Sequence, residues 1–222
     1  EIKKAVAGGV TSRTGWTYSE NDRPGVLNLR LFIEGEQALV GLRLSDYPLH
    51  QRPYKQANLP GSTKPSVAAA LVRLAQVEPG ARVLDPCCGA GTILIEAALQ
   101  GAAAVGGDID PEAVTASRAN GLRAGVSAEI QRWDARRLPL PDHAADRVIS
   151  NLPWGRQVSV EDSLEAYYQA ILQEMRRVLI PGGRMALLAN APQAVSAPGM
   201  RLVQQIEISL FGQTPKILIF EK

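Results

Sequence analysis

The chain has 222 residues, 45% of them apolar, and a formal charge of +2. This length suits one well-buried α/β domain with an appendage and is short for two full domains, while near-neutrality removes any global basic field as a sign of a nucleic-acid partner. No uncharged apolar stretch approaches the roughly 18–20 residues that cross a bilayer, and no basic-then-apolar leader is legible, so a cytoplasmic protein without a membrane partner is expected.

Taken in chain order, a polar, glycine-containing start gives way to Val26-Leu27-Asn28-Leu29-Arg30-Leu31-Phe32-Ile33, then Glu34-Gly35-Glu36, then Ala38-Leu39-Val40-Gly41-Leu42-Arg43-Leu44. The partial alternation predicts a β-hairpin with a loop of three to four residues, and residues 1–50 are read as a β extension. A hairpin alone is marginal in water and needs something to pack on. From His50 to Lys64 the segment HQRPYKQANLPGSTK holds two prolines, a glycine and no apolar period, and reads as an irregular connector into a second unit, 51–222. Pro65 then suits the first turn of a helix with Val67, Ala70, Leu71 and Leu74 on one face, running to about Gln76 and stopped by Glu78-Pro79-Gly80.

Strands and helices alternate after that: strand 82–85, helix 91–99, strand 102–108, helix 111–122, strand 126–131, strand 146–150, helix 162–178 and strand 183–189. Pro111 opens one helix and Gly121 closes it, and Pro181-Gly182-Gly183 separates the long helix from the strand that follows. A βαβ array of this kind makes a mostly parallel sheet with helices on both faces. The end differs, because the apolar strands 202–211 and 217–220 are joined only by Gly212-Gln213-Thr214-Pro215. So short a link cannot make a parallel crossover and predicts a terminal antiparallel hairpin.

Two segments carry chemistry. Val83-Leu84-Asp85-Pro86-Cys87-Cys88-Gly89-Ala90-Gly91-Thr92 ends a strand in an acid, turns through two glycines and opens a helix. Such a turn brings backbone close to a ligand and offers free amides at a helix N-terminus. Asp108 ends the next strand, where a carboxylate accepts hydrogen bonds from a pair of ribose hydroxyls, so loop and acid together point to an adenosine-type ligand. A nicotinamide dinucleotide would call for a third glycine where Leu94 stands, whereas a smaller zwitterionic adenosyl ligand does not. Cys87 and Cys88 are adjacent, which suits neither a mutual disulfide nor a zinc site, and no metal is expected.

The second segment, Asn151-Leu152-Pro153-Trp154-Gly155, follows the apolar run Arg147-Val148-Ile149-Ser150 and would be delivered to the same edge of the sheet. Asn151 can accept one hydrogen bond through its side-chain oxygen and the backbone carbonyl beside Pro153 another, which together hold both N–H groups of a planar exocyclic amine and localise its lone pair. Trp154 would cover the face of a base, worth about 1–3 kcal/mol. The same five residues also read as a strand-ending turn.

DPCCGAGTILIEAA, GGDID, SRAN, WDA and NLPWG, in this order and spacing, resemble the Rossmann-like class I S-adenosylmethionine-dependent methyltransferases. More narrowly, HQRPYK with STKPSVAAALVRLA resembles the catalytic half of the THUMP-containing RNA guanine methyltransferases, of the UPF0020-like RNA methylase family. The resemblance covers roughly residues 40–222. It implies a seven-stranded sheet with an antiparallel last strand and S-adenosylmethionine as cofactor. It also implies roles: Asp85, Cys87, Gly89, Gly91 and Thr92 around the methionine moiety, Asp108 on the ribose, Ile109 against the adenine, Asp134 near the adenine amine, and Asn151 at the junction of cofactor and target. Asp110 and Asn120 are read as helix-capping residues, not ligands.

The implied activity is methylation of the exocyclic amine of guanosine in RNA, with tRNA as first choice and rRNA as second. Leu152 in the second position of the motif is closer to the guanine RNA enzymes than to the NPP-type DNA adenine and protein glutamine methyltransferases, which stay as alternatives beside a catalytically silent adenosyl-binding subunit. Between Arg43 and Lys64, four cations face one acid. Arg52, Tyr54, Lys55 and Lys64 are accordingly candidates for RNA contact, with a solvated connector as the other reading. Family relatives carry an N-terminal THUMP domain, of which residues 1–50 would be a remnant; Glu1 in place of methionine fits the loss of preceding residues.

Overall fold

A computed structural model of the chain describes residues 2–21, 26–45, 48, 50–154, 163–210 and 212–222. Two units emerge, Glu1–Leu49 and His50–Lys222. In the first, α1 (Ile2–Thr14) occupies the polar start, where sequence reading expects no helix. Gly8 and Gly9 argue against one, yet Gly15 takes a φ of 71° just past its end and donates its N–H to the Thr11 carbonyl at 3.0 Å, a helix stop of the usual kind. β1 (Asn28–Glu34) and β2 (Gln37–Arg43) form the expected antiparallel hairpin. Its loop is the two residues Gly35 and Glu36, shorter than expected, because Gly35 at φ 57° tolerates the tight turn.

The second unit opens with the connector and α2 (Pro65–Leu74), followed by β3 (Arg82–Asp85), α3 (Thr92–Leu99), β4 (Ala103–Asp108), α4 (Pro111–Ala124), β5 (Ala128–Arg132) and β6 (Ala145–Asn151). The chain continues through α5 (Leu164–Val178), β7 (Leu179–Ala189), a single 3₁₀ turn, β8 (Arg201–Glu207) and β9 (Lys216–Glu221). The seven strands lie in the order β5-β4-β3-β6-β7-β9-β8. β3 to β7 are parallel, and β9 runs antiparallel to both β7 and β8, as the short terminal link requires.

The central strands are buried on both faces, so consecutive residues feed opposite layers. Val148, Leu187 and Leu218 pack with Tyr168, Ile171 and Met175 of α5. Their neighbours Ile149, Leu188 and Ile217 pack with Leu71, Val72 and Ile93 of α2 and α3. That is why these strands read as apolar runs instead of alternating ones.

Among the boundaries that differ from the sequence reading, three have a local cause. α4 runs past Gly121 and ends at Gly125, whose φ of 67° makes it the left-handed cap, while Gly121 keeps a helical conformation inside. Pro181-Gly182-Gly183 lies within β7 as an irregularity, where the pairing with β6 shifts register and the Gly182 N–H donates to the Lys222 carbonyl at 2.9 Å. The strand expected over 202–211 ends at Glu207, and Leu210 bridges Gln213 before β9; Phe211 lies outside the described residues. The start of the helix expected at 162 also lies outside them, and α5 begins after Ser163, whose hydroxyl caps the Ala166 N–H at 3.2 Å.

Candidate active site

β4 and β6 lie on opposite sides of β3, so the winding direction reverses between β3 and β6. A crevice opens outside the carboxyl ends of strands at such a reversal. Those ends are Asp85, Asp108 and Asn151, and all three line one cleft of about 900 Å³, a volume that suits a cofactor-sized ligand.

One wall is the glycine loop. Gly89 at φ 51° would point a Cβ into open space, so the backbone there is bare toward the cleft. Asp108 holds the loop: its Oδ2 accepts the Gly89 N–H at 2.9 Å and its Oδ1 the Asp110 N–H at 3.1 Å. Gly91 does not line the cleft; it stands ahead of α3 at φ 78°, and a Cβ there would collide with the Ser117 hydroxyl. Thr92, in the first turn of α3, and Cys87 do line it. From beneath, the buried Trp133 donates its indole N–H to the Pro86 carbonyl at 3.0 Å.

Asp85 is 1% exposed. Burial pushes its carboxyl up to about 7, assisted by the nearby Asp108 charge and opposed by the Ser150 hydroxyl and the Cys87 amide. Those two donors, at 2.7 and 3.2 Å, are both neutral, which leaves the carboxylate suited to a cationic group from the cleft. Ile109 is an exposed apolar side chain at the rim. Asp134, also on the lining, is gripped by the Arg136 guanidinium, which holds its carboxyl below the ordinary range.

The opposite wall is the Asn151 turn. The Asn151 Nδ2 donates to the Gly61 carbonyl at 3.2 Å, and its Oδ1 accepts the Trp154 indole N–H at 3.0 Å. A donor on one side and an acceptor on the other leave the amide a single orientation. Trp154 lines the cleft, yet it also packs on the apolar cluster around Ile149 and Leu188. It is therefore tied into the fold on one side while it presents surface to the cleft. The Pro153 carbonyl accepts the Tyr168 hydroxyl at 2.6 Å, which anchors the turn to α5. Gly155 lies outside the described residues.

Residues 52–207 match the family model for the UPF0020, RMKL-like, methyltransferase domain. The chain belongs to that family. It is 36% identical over 207 residues to the tRNA (guanine(6)-N2)-methyltransferase of Thermus thermophilus, covering 90% of this chain and 61% of that protein. It is 35% identical over 170 residues to the tRNA (guanine(10)-N2)-dimethyltransferase of Methanothermobacter thermautotrophicus, covering 75% of this chain and 49% of that one. The crystal structure of TrmN from Thermus thermophilus superposes with a TM-score of 0.77 at 33% identity, over all of this chain and 67% of that one. The chain thus spans between half and two thirds of the length of these relatives.

Within the family domain, the candidate RNA strip has a different placement from the one the sequence suggests. Tyr54 is buried and donates its hydroxyl to Glu96 at 2.7 Å, so it cannot stack on a base. Arg52 pairs with the same carboxylate at 3.1 Å, and Lys55 donates to the Thr63 carbonyl, with burial lowering its ammonium to about 8. Lys64 is half-buried at the start of α2. None of the four lines the cleft; that wall is built by residues 58–63 instead. These inward contacts follow from Glu96, an acid on the buried face of α3 that needs partners from outside its own helix.

Asp110 caps α4 as expected, accepting the Glu112 N–H at 2.8 Å. Asn120 caps nothing. It is fully buried in α4 and bonds to Ala57 and Ala90. Sequence reading also misses Tyr167, Asn190 and Gln213 on the cleft lining, since each arrives from an element with no motif of its own. Among the described residues no cluster of His, Cys, Asp and Glu is able to hold a metal ion, and no helix is long and apolar enough to cross a membrane.

Proposed function

We propose that this chain is the catalytic part of an S-adenosylmethionine-dependent RNA methyltransferase acting on the exocyclic amine of guanosine, in tRNA before rRNA, in the cytoplasm. The observation that carries the reading is the meeting of Asp85 and Asp108 with Asn151 across a single cleft in a chain of this family. Likeness to two tRNA guanine N2-methyltransferases supports the choice of substrate. In the same reading, residues 1–50 are the remnant of a THUMP-type RNA-binding domain.

The residues fit the cofactor: a bare backbone at Gly89, a buried carboxylate at Asp85 without a cationic partner among its two donors, and an apolar rim at Ile109. When bound, S-adenosylmethionine supplies a methyl group on a positively charged sulfur. Asp108 would take the ribose hydroxyls, Asp134 the adenine amine, and Asp85, Cys87 and Thr92 the methionine end. Asn151 Oδ1 has two lone pairs, of which Trp154 occupies one. The other accepts an N–H of the guanine amine, with the Leu152 carbonyl beside Pro153 as second acceptor. Attack by that amine needs alignment and exclusion of water more than a strong base, so no histidine is assigned a role.

Incubation with S-adenosylmethionine labelled in its methyl group and unmodified tRNA, followed by nucleoside mass analysis, tests the reading. Label in N2-methylguanosine, lost in Asn151→Ala while cofactor still binds, is the expected outcome. Label in DNA adenine or a glutamine side chain instead of RNA, or cofactor binding with transfer to none of these, overturns it.

A further inference from the structure

We infer that Asn120 is a positioning residue for the methyl transfer proposed above, on which its catalytic consequence rests: it sets the glycine loop and the Asn151 amide in register through residues 57–63. Asn120 is fully buried and does not line the cleft. Its side-chain oxygen accepts the Ala57 N–H at 3.1 Å, and its nitrogen donates to the Ala57 carbonyl at 2.9 Å and to the Ala90 carbonyl at 3.0 Å. The two bonds to Ala57 make a closed rung; the third crosses to the glycine loop. An asparagine that only filled space in a helix would need none of these partners, which lie 63 and 30 residues away in the chain.

The segment that Asn120 grips is itself tied into one piece. The Leu59 N–H donates to the Ser62 hydroxyl oxygen at 3.1 Å, the Ser62 N–H to the Leu59 carbonyl at 3.0 Å, and Lys55 holds the Thr63 carbonyl. Gly61 lies within this turn, and its carbonyl takes the Asn151 Nδ2. Hydrogen bonds therefore tie Ala90 through Asn120 to Ala57, the short backbone stretch from Ala57 carries the link to Gly61, and hydrogen bonds continue from Gly61 to Asn151 and the Trp154 indole. Releasing the Ala57 rung frees the turn, and Gly61 ceases to fix the amide.

Asn120→Ala in the full chain tests this with two readouts. The chain has three tryptophans, so its nitrogen-15 spectrum contains three indole N–H resonances, of which Trp154→Phe identifies one. The Trp154 resonance, remote from Asn120 in the sequence, is expected to move upfield as its bond to Asn151 loosens, while the Trp133 resonance, bonded to Pro86, stays. In methyl transfer to tRNA, kcat is expected to fall roughly 10- to 100-fold with KM for RNA little changed, as for a misaligned reacting pair. An unmoved Trp154 resonance, or a kcat equal to wild type, overturns the inference. If Asn120→Ala does not fold, Ala57→Pro removes the connector N–H without touching α4 and is judged on the same two readouts. Should the wild-type protein transfer no methyl group to RNA, the substrate reading fails, and the indole resonance alone decides whether Asn120 positions Asn151.

Discussion

The indole of Trp154 gives its one N–H to Asn151 and much of its surface to the apolar cluster around Ile149 and Leu188. Trp154→Phe keeps an aromatic, though smaller, side chain and removes the donor, an interaction worth about 0.5–1.5 kcal/mol. Single-turnover methyl transfer is expected to slow by the corresponding factor of about 2–13, and Trp154→Ala, which also loses the packing, by more. Asp85 is a residue with a charge that changes near neutral pH. Burial raises its carboxyl to about 7 in the folded protein, against about 4 in an unfolded chain. Between those values the native state holds the extra proton, so stability falls as pH rises through that window and levels off above it. Asp85→Asn removes this slope: urea midpoints at pH 5 and pH 8 should converge, with the variant the more stable at pH 8. Cofactor affinity runs the other way. A cationic ligand meets an ionised Asp85 only as pH rises through about 7, so binding measured by calorimetry should tighten across that point and become flat in Asp85→Asn.

At the scale of elements, the glycine loop shows which glycines are replaceable. Gly91 combines a left-handed φ of 78° with the Ser117 side chain against its α-carbon. Alanine there costs about 1–2 kcal/mol for the backbone and about 1–3 kcal/mol for overpacking. Chemical denaturation should show both losses in Gly91→Ala, and adding Ser117→Gly should recover part of the second, less the cost of a glycine inside α4. Helix starts were legible where one residue type owns a backbone conformation, as at Pro65 and Pro111. A helix end was misread where two glycines compete: Gly121 and Gly125 both suit a helix stop, and only Gly125 takes the positive φ. α1 escaped notice because Gly8 and Gly9 weaken its helix propensity.

Across the molecule, the sheet buries consecutive residues of β6, β7 and β9 in opposite layers, so no central apolar side chain is spare. Leu188→Ala is expected to cost about 2–5 kcal/mol, read from the shift in denaturation midpoint. The mostly parallel sheet and the terminal hairpin followed from periodicity and link length, whereas the strand order, which sets β6 beside β3, came only from the folded chain. The ligand edge followed as well, since a strand ending in Asp85, Asp108 or Asn151 can leave its last residue only at the carboxyl rim. Other features depended on folding. Tyr54 reaches Glu96 across 42 residues, Asn120 reaches Ala57 across 63, and Asn151 reaches Gly61 across 90. A local pattern records what a residue does to its own backbone, and these three side chains act on backbone or carboxylates brought near only by packing. The sequence by itself determined the strands, the loop and the two chemical motifs; the tertiary structure alone decided that the connector faces inward and that the Asn151 amide is held from both sides, because a buried polar group takes whatever partner the closed fold sets within hydrogen-bond reach.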